Sequence, residues 1–357
     1  MDPAAEPQLP GRLVFVLPDD RQRISGGNLY NARLLEAARE RRPVAAIDAA
    51  RWREEIAAGE IGTYVVDTVL LRDFAVALSS KPAGQRWLLL VHHLPSLEPG
   101  LAEDAPARHD EARVLAACDG FVVASRFTAA LLRARGLGAV PIVTVPPALA
   151  VGAAAERRAW PSAPRALMVA NLIARKAVAP WLEHLARRVL PTDRWGLDLL
   201  GRDDLEPDHA AACHQIVAAT PLLRDRVCFV GAVSPEAMST YYQRAALLVS
   251  ASAMETFGMA LQEARAHGLP ILVRAGGHAA AHVEPGVTGL VCDRLDELAD
   301  AFVQQLREPT ALRSWFDVAQ ARAAAAVARC GGWTEAAQSL LAQLAAADYS
   351  SHRPAIE

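Results

Sequence analysis

The sequence predicts an α/β protein built from two doubly wound domains, each a mostly parallel sheet with helices on both faces. Three observations carry this expectation. Short apolar runs bounded by Gly, Pro or Ser alternate with helical spacing along almost the whole chain. The pattern breaks at a Pro/Ala/Gly-rich stretch before residue 164 and then restarts. The length, 357 residues, suits two domains with a core each.

In order, residues 12–17 read as a first strand, followed by a loop and a helix over 28–41. Residues 87–91 form a second clear strand ending at His92 and His93, and 120–124 a third. Ser125 stands ready to cap a helix over 126–135, and residues 142–145 close this half. Residues 42–72 carry no clear pattern. In the second half, strands are expected at 166–170, 197–200, 227–230, 246–250, 270–273 and 289–292. A last amphipathic helix, 333–347, has the spacing to reach back to the first half. The expected division is a first domain over 1–155, a linker over 156–164, a second domain over 165–330, and a C-terminal helix region over 331–357. Two such domains imply a cleft, and open α/β sheets take ligands beyond the carboxyl ends of their strands.

Composition narrows the function. The chain is 52% hydrophobic and 22% charged, hence globular, and its formal charge of −3 argues against nucleic acid as a partner. No run reaches membrane-span length, and the first residues lack a signal peptide's pattern. The five cysteines are scattered without CxxC spacing, which argues against a zinc site or disulfide framework and fits a reducing cytoplasm. Only two of the 37 basic residues are lysines, Lys81 and Lys176. A lysine in so arginine-rich a chain marks a place where a compact charge is wanted, or chance.

Four places carry candidate chemistry. Glu255-Thr-Phe-Gly-Met-Ala-Leu-Gln-Glu263 sets two carboxylates eight positions apart in apolar sequence, between a strand end and a helix that starts near Met259 and stops at Gly268 and Pro270. Gly258 permits the tight turn, and the carboxylates can accept bonds from sugar or ribose diols. Asn171-Leu-Ile-Ala-Arg175-Lys176 places two cations at a strand-to-helix loop, suited to a departing pyrophosphate; a solvated basic pair is the alternative. Ile24-Ser-Gly-Gly-Asn28 offers Gly26 and Gly27 for close backbone approach and Ser25 or Asn28 as helix caps, or else is a plain turn. It is not a GxGxxG dinucleotide fingerprint. His92 and His93 end a strand, and period-2 geometry turns them to opposite sides, so one of them faces the cleft. Gly276-Gly277 supplies a further close approach.

These residues resemble the retaining glycosyltransferases of family 4, which have the GT-B fold of two facing Rossmann-like domains with an interdomain cleft. Glu255, Phe257, Gly258 and Glu263 match the family's Glu-x-Phe-Gly-x4-Glu signature, and residues 264–270 and 286–291 also look like the family. The Gly26-Gly27 loop, a strand-ending histidine and Arg175-Lys176 extend the likeness from about residue 13 to 344. The resemblance implies that Glu263 binds the nucleotide ribose and that Glu255 lies near the donor-sugar hydroxyls. The backbone of Phe257, Gly258, Met259 and Ala260 would contact sugar and pyrophosphate, and Gly27 would bring backbone to the phosphates. Arg175 and Lys176 would stabilise the leaving diphosphate without a metal, and His92 would bond the donor sugar. Asn171 stands where many members have arginine, and Ala177 replaces a glycine. Residues 1–150 hold 17 basic and 18 acidic residues, so no net basic face of the kind that docks on membranes is evident.

The resemblance therefore implies transfer of a sugar from a nucleotide-sugar donor to an acceptor hydroxyl with retained configuration. No cofactor or metal is expected. The acceptor class, whether saccharide, lipid-linked or small molecule, is left open, and the expected location is the cytoplasm, with or without peripheral attachment to a membrane. With no obvious nucleophile, front-face attack at an oxocarbenium-like centre is favoured over a covalent intermediate. A nucleotide-sugar epimerase, a phosphorylase and a catalytically silent sugar-nucleotide-binding scaffold are the competing readings; two lysines leave little room for the pyridoxal-bearing lysine that a phosphorylase needs.

Overall fold

The computed structural model describes residues 11–19, 25–149, 158–161, 163–347 and 349. The chain divides into two compact units: Met1–Ala148 together with Gly332–Glu357, and Leu149–Gly331. Each holds one six-stranded sheet in which every pairing is parallel.

The first unit has β1 (Arg12–Val16), β2 (Val44–Ile47), β3 (Gly62–Asp67), β4 (Arg86–Val91), β5 (Gly120–Val123) and β6 (Ile142–Thr144), in the order β2-β1-β3-β4-β5-β6. The second has β7 (Arg165–Val169), β8 (Gly196–Leu200), β9 (Val227–Gly231), β10 (Leu247–Ser250), β11 (Ile271–Arg274) and β12 (Gly289–Cys292), in the order β12-β11-β10-β7-β8-β9. Two doubly wound α/β units is the expected fold class. Strands buried on both faces explain why their sequences are nearly continuous apolar runs.

Residues 42–72, unreadable in sequence, contain β2, β3 and the helix Ala49–Ala57. They also supply part of the core: Trp52 packs edge-on against Trp87 at 4.9 Å and Phe74 at 5.6 Å. The matching cluster in the second unit is Trp181 and Trp195 around Phe302, at 5.3 and 5.1 Å. The long helix Thr310–Cys330 was also not anticipated.

Two boundaries differ from expectation. The first helix spans Gly26–Arg39 rather than 28–41, because Ser25 caps it: Asn28 N donates to Ser25 Oγ at 3.1 Å. Residues 158–161, expected within a surface linker, pack into the second unit instead. Trp160 meets Phe316 edge-on at 5.4 Å, and the Arg158 guanidinium lies 5.3 Å over the same ring. The rest of that expected linker, 156–157 and 162, lies outside the described residues, except 163 and 164, which run directly into β7. After Gly331, whose φ of 62° turns the chain, the helix Trp333–Ala346 belongs to the first unit and packs on the helix Gly26–Arg39. Tyr30 meets Trp333 at 5.8 Å, and Gln343 exchanges two hydrogen bonds with the Thr144 backbone.

Candidate active site

In the second unit β11, β10 and β7 are neighbours, so the loops that follow them lie side by side. Sheet order thus gathers residues that are distant in sequence. The loop after β7 makes a 3-10 turn, Ala174–Lys176, and then passes through Ala177 in the left-handed region at φ 52°. Ala177 is the one non-glycine residue with positive φ among the described residues. A Cβ at that φ is strained. The turn aims Lys176 at the β10 loop, where its Nζ donates to Glu255 Oε1 at 2.5 Å. Ala253 N donates to Arg175 O at 3.0 Å and pins the same two loops together.

Glu255 is held on its other side by the β11 loop. Its amide donates to Gly276 O at 3.3 Å, and its carbonyl accepts from His278 N at 2.6 Å. The Gly276-Gly277 pair makes this possible: a Cβ on Gly277 would lie 2.2 Å from Glu255 O, and one on Gly276 2.3 Å from Ala253 O. The close approach expected of these glycines is therefore to the Glu255 loop. Burial alone would push the Glu255 carboxyl up. The Lys176 charge and hydrogen bond, the Arg175 charge and the Ser252 hydroxyl outweigh it and hold the group below its ordinary value. The Arg175 guanidinium makes no hydrogen bond to any described residue and contributes charge alone.

Gly258, at φ 90°, opens the helix Met259–Ala266. The first amides of that helix, from Met259 and Ala260, have no carbonyl within the helix to bond and point out of its N-terminus. Phe257, just before it, has His278 stacked on its ring at 5.5 Å, and its carbonyl accepts from His282 Nε2 at 2.7 Å. Burial drives the His282 imidazole down to about 4, so it stays neutral and works as a donor. His278 and His282 were missed in the sequence. The available signal was a pair of histidines four apart directly after Gly276-Gly277.

Glu263 does not face open solvent. It is 5% exposed, and Tyr242 Oη donates to its Oε2 at 2.7 Å. Burial raises its carboxyl to about 7, although the tyrosine bond opposes the shift. Oε1 has no partner among the described residues and is the atom left for a ligand. Asn171 accepts from Arg202 N at 3.0 Å and ties the β7 loop to the β8 loop.

In the first unit, Gly26 and Gly27 begin the helix after β1, and His92 follows β4. A Cβ on Gly27 would come within 3.3 Å of the His92 ring, so the missing side chain makes room for that imidazole. His92 Nε2 lies 2.9 Å from Asn31 Oδ1, and Tyr30 packs edge-on against the ring at 5.4 Å. His93 turns the other way, to Glu98 at 2.8 Å. The alternation of the two histidines is as expected, and His92 is the one beside the glycine loop. Ile24 lies outside the described residues. Among the described residues no cluster of three or more His, Cys, Asp or Glu is placed to hold a metal, and no helix is long and apolar enough to cross a membrane.

Comparison with known proteins defines the class. Residues 163–308 match the family described as glycosyl transferases group 1. The chain is similar in fold to a sucrose-phosphate synthase from Thermosynechococcus elongatus, with a TM-score of 0.73 and 20% identity over 92% of this chain and 96% of that one. It is also similar to Anabaena Alr3699/HepE, solved in complex with UDP-glucose, with a TM-score of 0.67 and 16% identity over 90% and 98% of the two chains. The fold is the GT-B fold of these structures, and residues 163–308 of the second unit resemble the group 1 glycosyl transferases.

Curated relatives agree with this class. The chain is 36% identical over 132 residues to D-inositol 3-phosphate glycosyltransferase of Mycobacterium avium, covering 36% of this chain and 30% of that protein. It is 34% identical over 140 residues to the enzyme of the same name from Streptomyces avermitilis, covering 39% and 29%. The chain thus spans about three-tenths of the length of these curated relatives.

Proposed function

We propose that this protein transfers a sugar from a nucleotide-diphosphate donor to an acceptor hydroxyl, with retention of configuration and without a metal. The observation that carries the reading is the convergence of Arg175, Lys176 and Glu255 beside the N-terminus of the helix Met259–Ala266. Two cations and outward-pointing amides suit a diphosphate, whose developing charge they stabilise as it leaves. The paired Glu255 adds an acceptor for sugar hydroxyls close to that charge, and Glu263 Oε1 one for a ribose hydroxyl. The family match over this unit, and a fold neighbour solved with UDP-glucose, support a nucleotide-sugar donor.

In this reading the enzyme positions the reactants and stabilises charge; no side chain becomes covalently attached to the sugar. Arg175, which no hydrogen bond restrains, swings to the phosphates, while Lys176 is oriented by Glu255. Five free cysteines support a reducing compartment, the cytoplasm.

The test is a thermal-shift panel of nucleoside diphosphates and their sugars, followed by donor turnover. A bound nucleotide at a hundred times its Kd should add about 2.7 kcal/mol of stability. Replacing Lys176 with Ala should cut turnover by about 10²-fold or more. No response to any nucleotide, or near-wild-type turnover in that variant, removes the assignment.

A further inference from the structure

The imidazole of His92 is gripped from behind by two buried residues with no part in the sequence motifs. Asn31 is 3% exposed and Asp67 is 1% exposed. Asp67 is the last residue of β3, and Asn31 lies in the second turn of the helix that follows β1. The strand order β1-β3-β4 brings both to the start of the loop carrying His92.

The hydrogen bonds form a directed chain. Asp67 Oδ1 accepts from Val69 N at 2.9 Å, and Oδ2 accepts from Asn31 Nδ2 at 2.7 Å. A carboxylate only accepts, so this contact fixes which end of the Asn31 amide is which. The Asn31 carbonyl oxygen is thereby left 2.9 Å from His92 Nε2, which must carry the proton. Asp67 Oδ2, 3.5 Å from the same nitrogen, favours the same arrangement. His92 N donates to Thr68 Oγ1 at 3.1 Å, which anchors the backbone as well.

We propose that Asn31 and Asp67 are positioning residues that hold His92 as its Nε2–H tautomer, which makes Nδ1 the acceptor nitrogen of the ring. The inference builds on the sugar-transfer reading of His92 but makes a claim that stands without it, since the tautomer is a property of the protein alone. The logic is the one by which a buried carboxylate selects the tautomer of a catalytic histidine elsewhere.

The chain of bonds predicts an unusual response to Asp67→Asn. The new amide must keep its oxygen on Val69 N and offers its NH2 to Asn31. Asn31 then turns over to accept it and presents its own NH2 to His92 Nε2. That nitrogen must now accept, and the proton moves to Nδ1. The double exchange Asn31→Asp with Asp67→Asn restores an acceptor at Nε2 and brings the Nε2–H tautomer back.

Nitrogen-15 NMR of histidine-labelled protein reads the tautomer directly, with the His92 signals assigned as those missing from His92→Gln. The expected result is Nε2–H in the wild type, Nδ1–H in Asp67→Asn and Nε2–H in the double exchange. Nδ1–H in the wild type, which needs no variant to fold, or an unchanged tautomer in Asp67→Asn overturns the proposal. Hydrolysis of UDP-glucose, as the donor probe, should fall by about 10²-fold in Asp67→Asn and recover in the double exchange. A tautomer that switches as described while hydrolysis stays at the wild-type rate confirms the hydrogen-bond assignment and rejects the sugar contact of His92.

Discussion

Replacing Glu263 with Gln should stabilise the protein at neutral and alkaline pH while weakening nucleotide binding. The carboxyl is buried and raised to about 7 from its ordinary value of 4.5. Between those values the native state binds more protons than the unfolded chain, so stability falls as pH rises. The stability is fully present below 4.5 and is lost as pH passes through about 7. At about 1.4 kcal/mol per unit, the loss is on the order of 3 kcal/mol. The residue is 5% exposed, so solvent screening removes little of this. Glutamine keeps the shape and still accepts from Tyr242 without ever ionising. The variant should match the wild type at pH 4.5 and exceed it by about 3 kcal/mol at pH 8. Thermal unfolding should then show a midpoint about 6–12 °C higher for a unit of this size. A variant equal to or less stable than the wild type at pH 8 refutes the reasoning, and with it the view that Glu263 is kept ionisable at a stability cost for the sake of a ligand.

Further outcomes follow from the same geometry. Lys176→Ala should cost about 3 kcal/mol at pH 7, because it leaves Glu255 buried opposite no lysine. Since Glu255 sits below its ordinary value, that contribution is present above pH 4.5 and disappears as the pH falls through its lowered value; urea unfolding followed from pH 7 downward reads the loss. Ala177→Gly should relieve the left-handed strain at φ 52° and gain about 0.5–1 kcal/mol in urea, after allowance for the freer unfolded chain. Gly27→Ala should leave the midpoint of thermal unfolding nearly unchanged yet displace the His92 ring, which lies 3.3 Å from the added Cβ, and lower donor turnover about tenfold.

What could be read in the sequence depended on how cleanly burial matched polarity. Ten of the twelve strands show as apolar runs because parallel sheets bury both faces. The other two, β2 and β3, hide in residues 42–72. There β2 is four residues long and alanine-rich, and β3 begins with Gly-Thr-Tyr. The helix between them carries Glu55, a charged residue 2% exposed that reads as surface. It is buried because Arg12 and Tyr64 both bond it, at 3.1 and 2.9 Å, which no local pattern can announce. The Glu255–Glu263 segment was legible as a turn between strand and helix. The partners of its acids were not: Lys176 is 79 positions from Glu255 and Tyr242 is 21 from Glu263. Sheet order makes the first meeting and helix packing the second.

The return of the chain to the first unit at Gly332 has a consequence for synthesis. The second unit is one unbroken stretch, Leu149–Gly331, and has everything it needs once that stretch has left the ribosome. The first unit, begun earlier, has to wait. The apolar flank of its opening helix lacks a cover until Trp333 arrives to pack on Tyr30, the same tyrosine that props the His92 ring. The half that is translated first is therefore closed last, when Trp333 reaches the tyrosine that packs against the His92 ring.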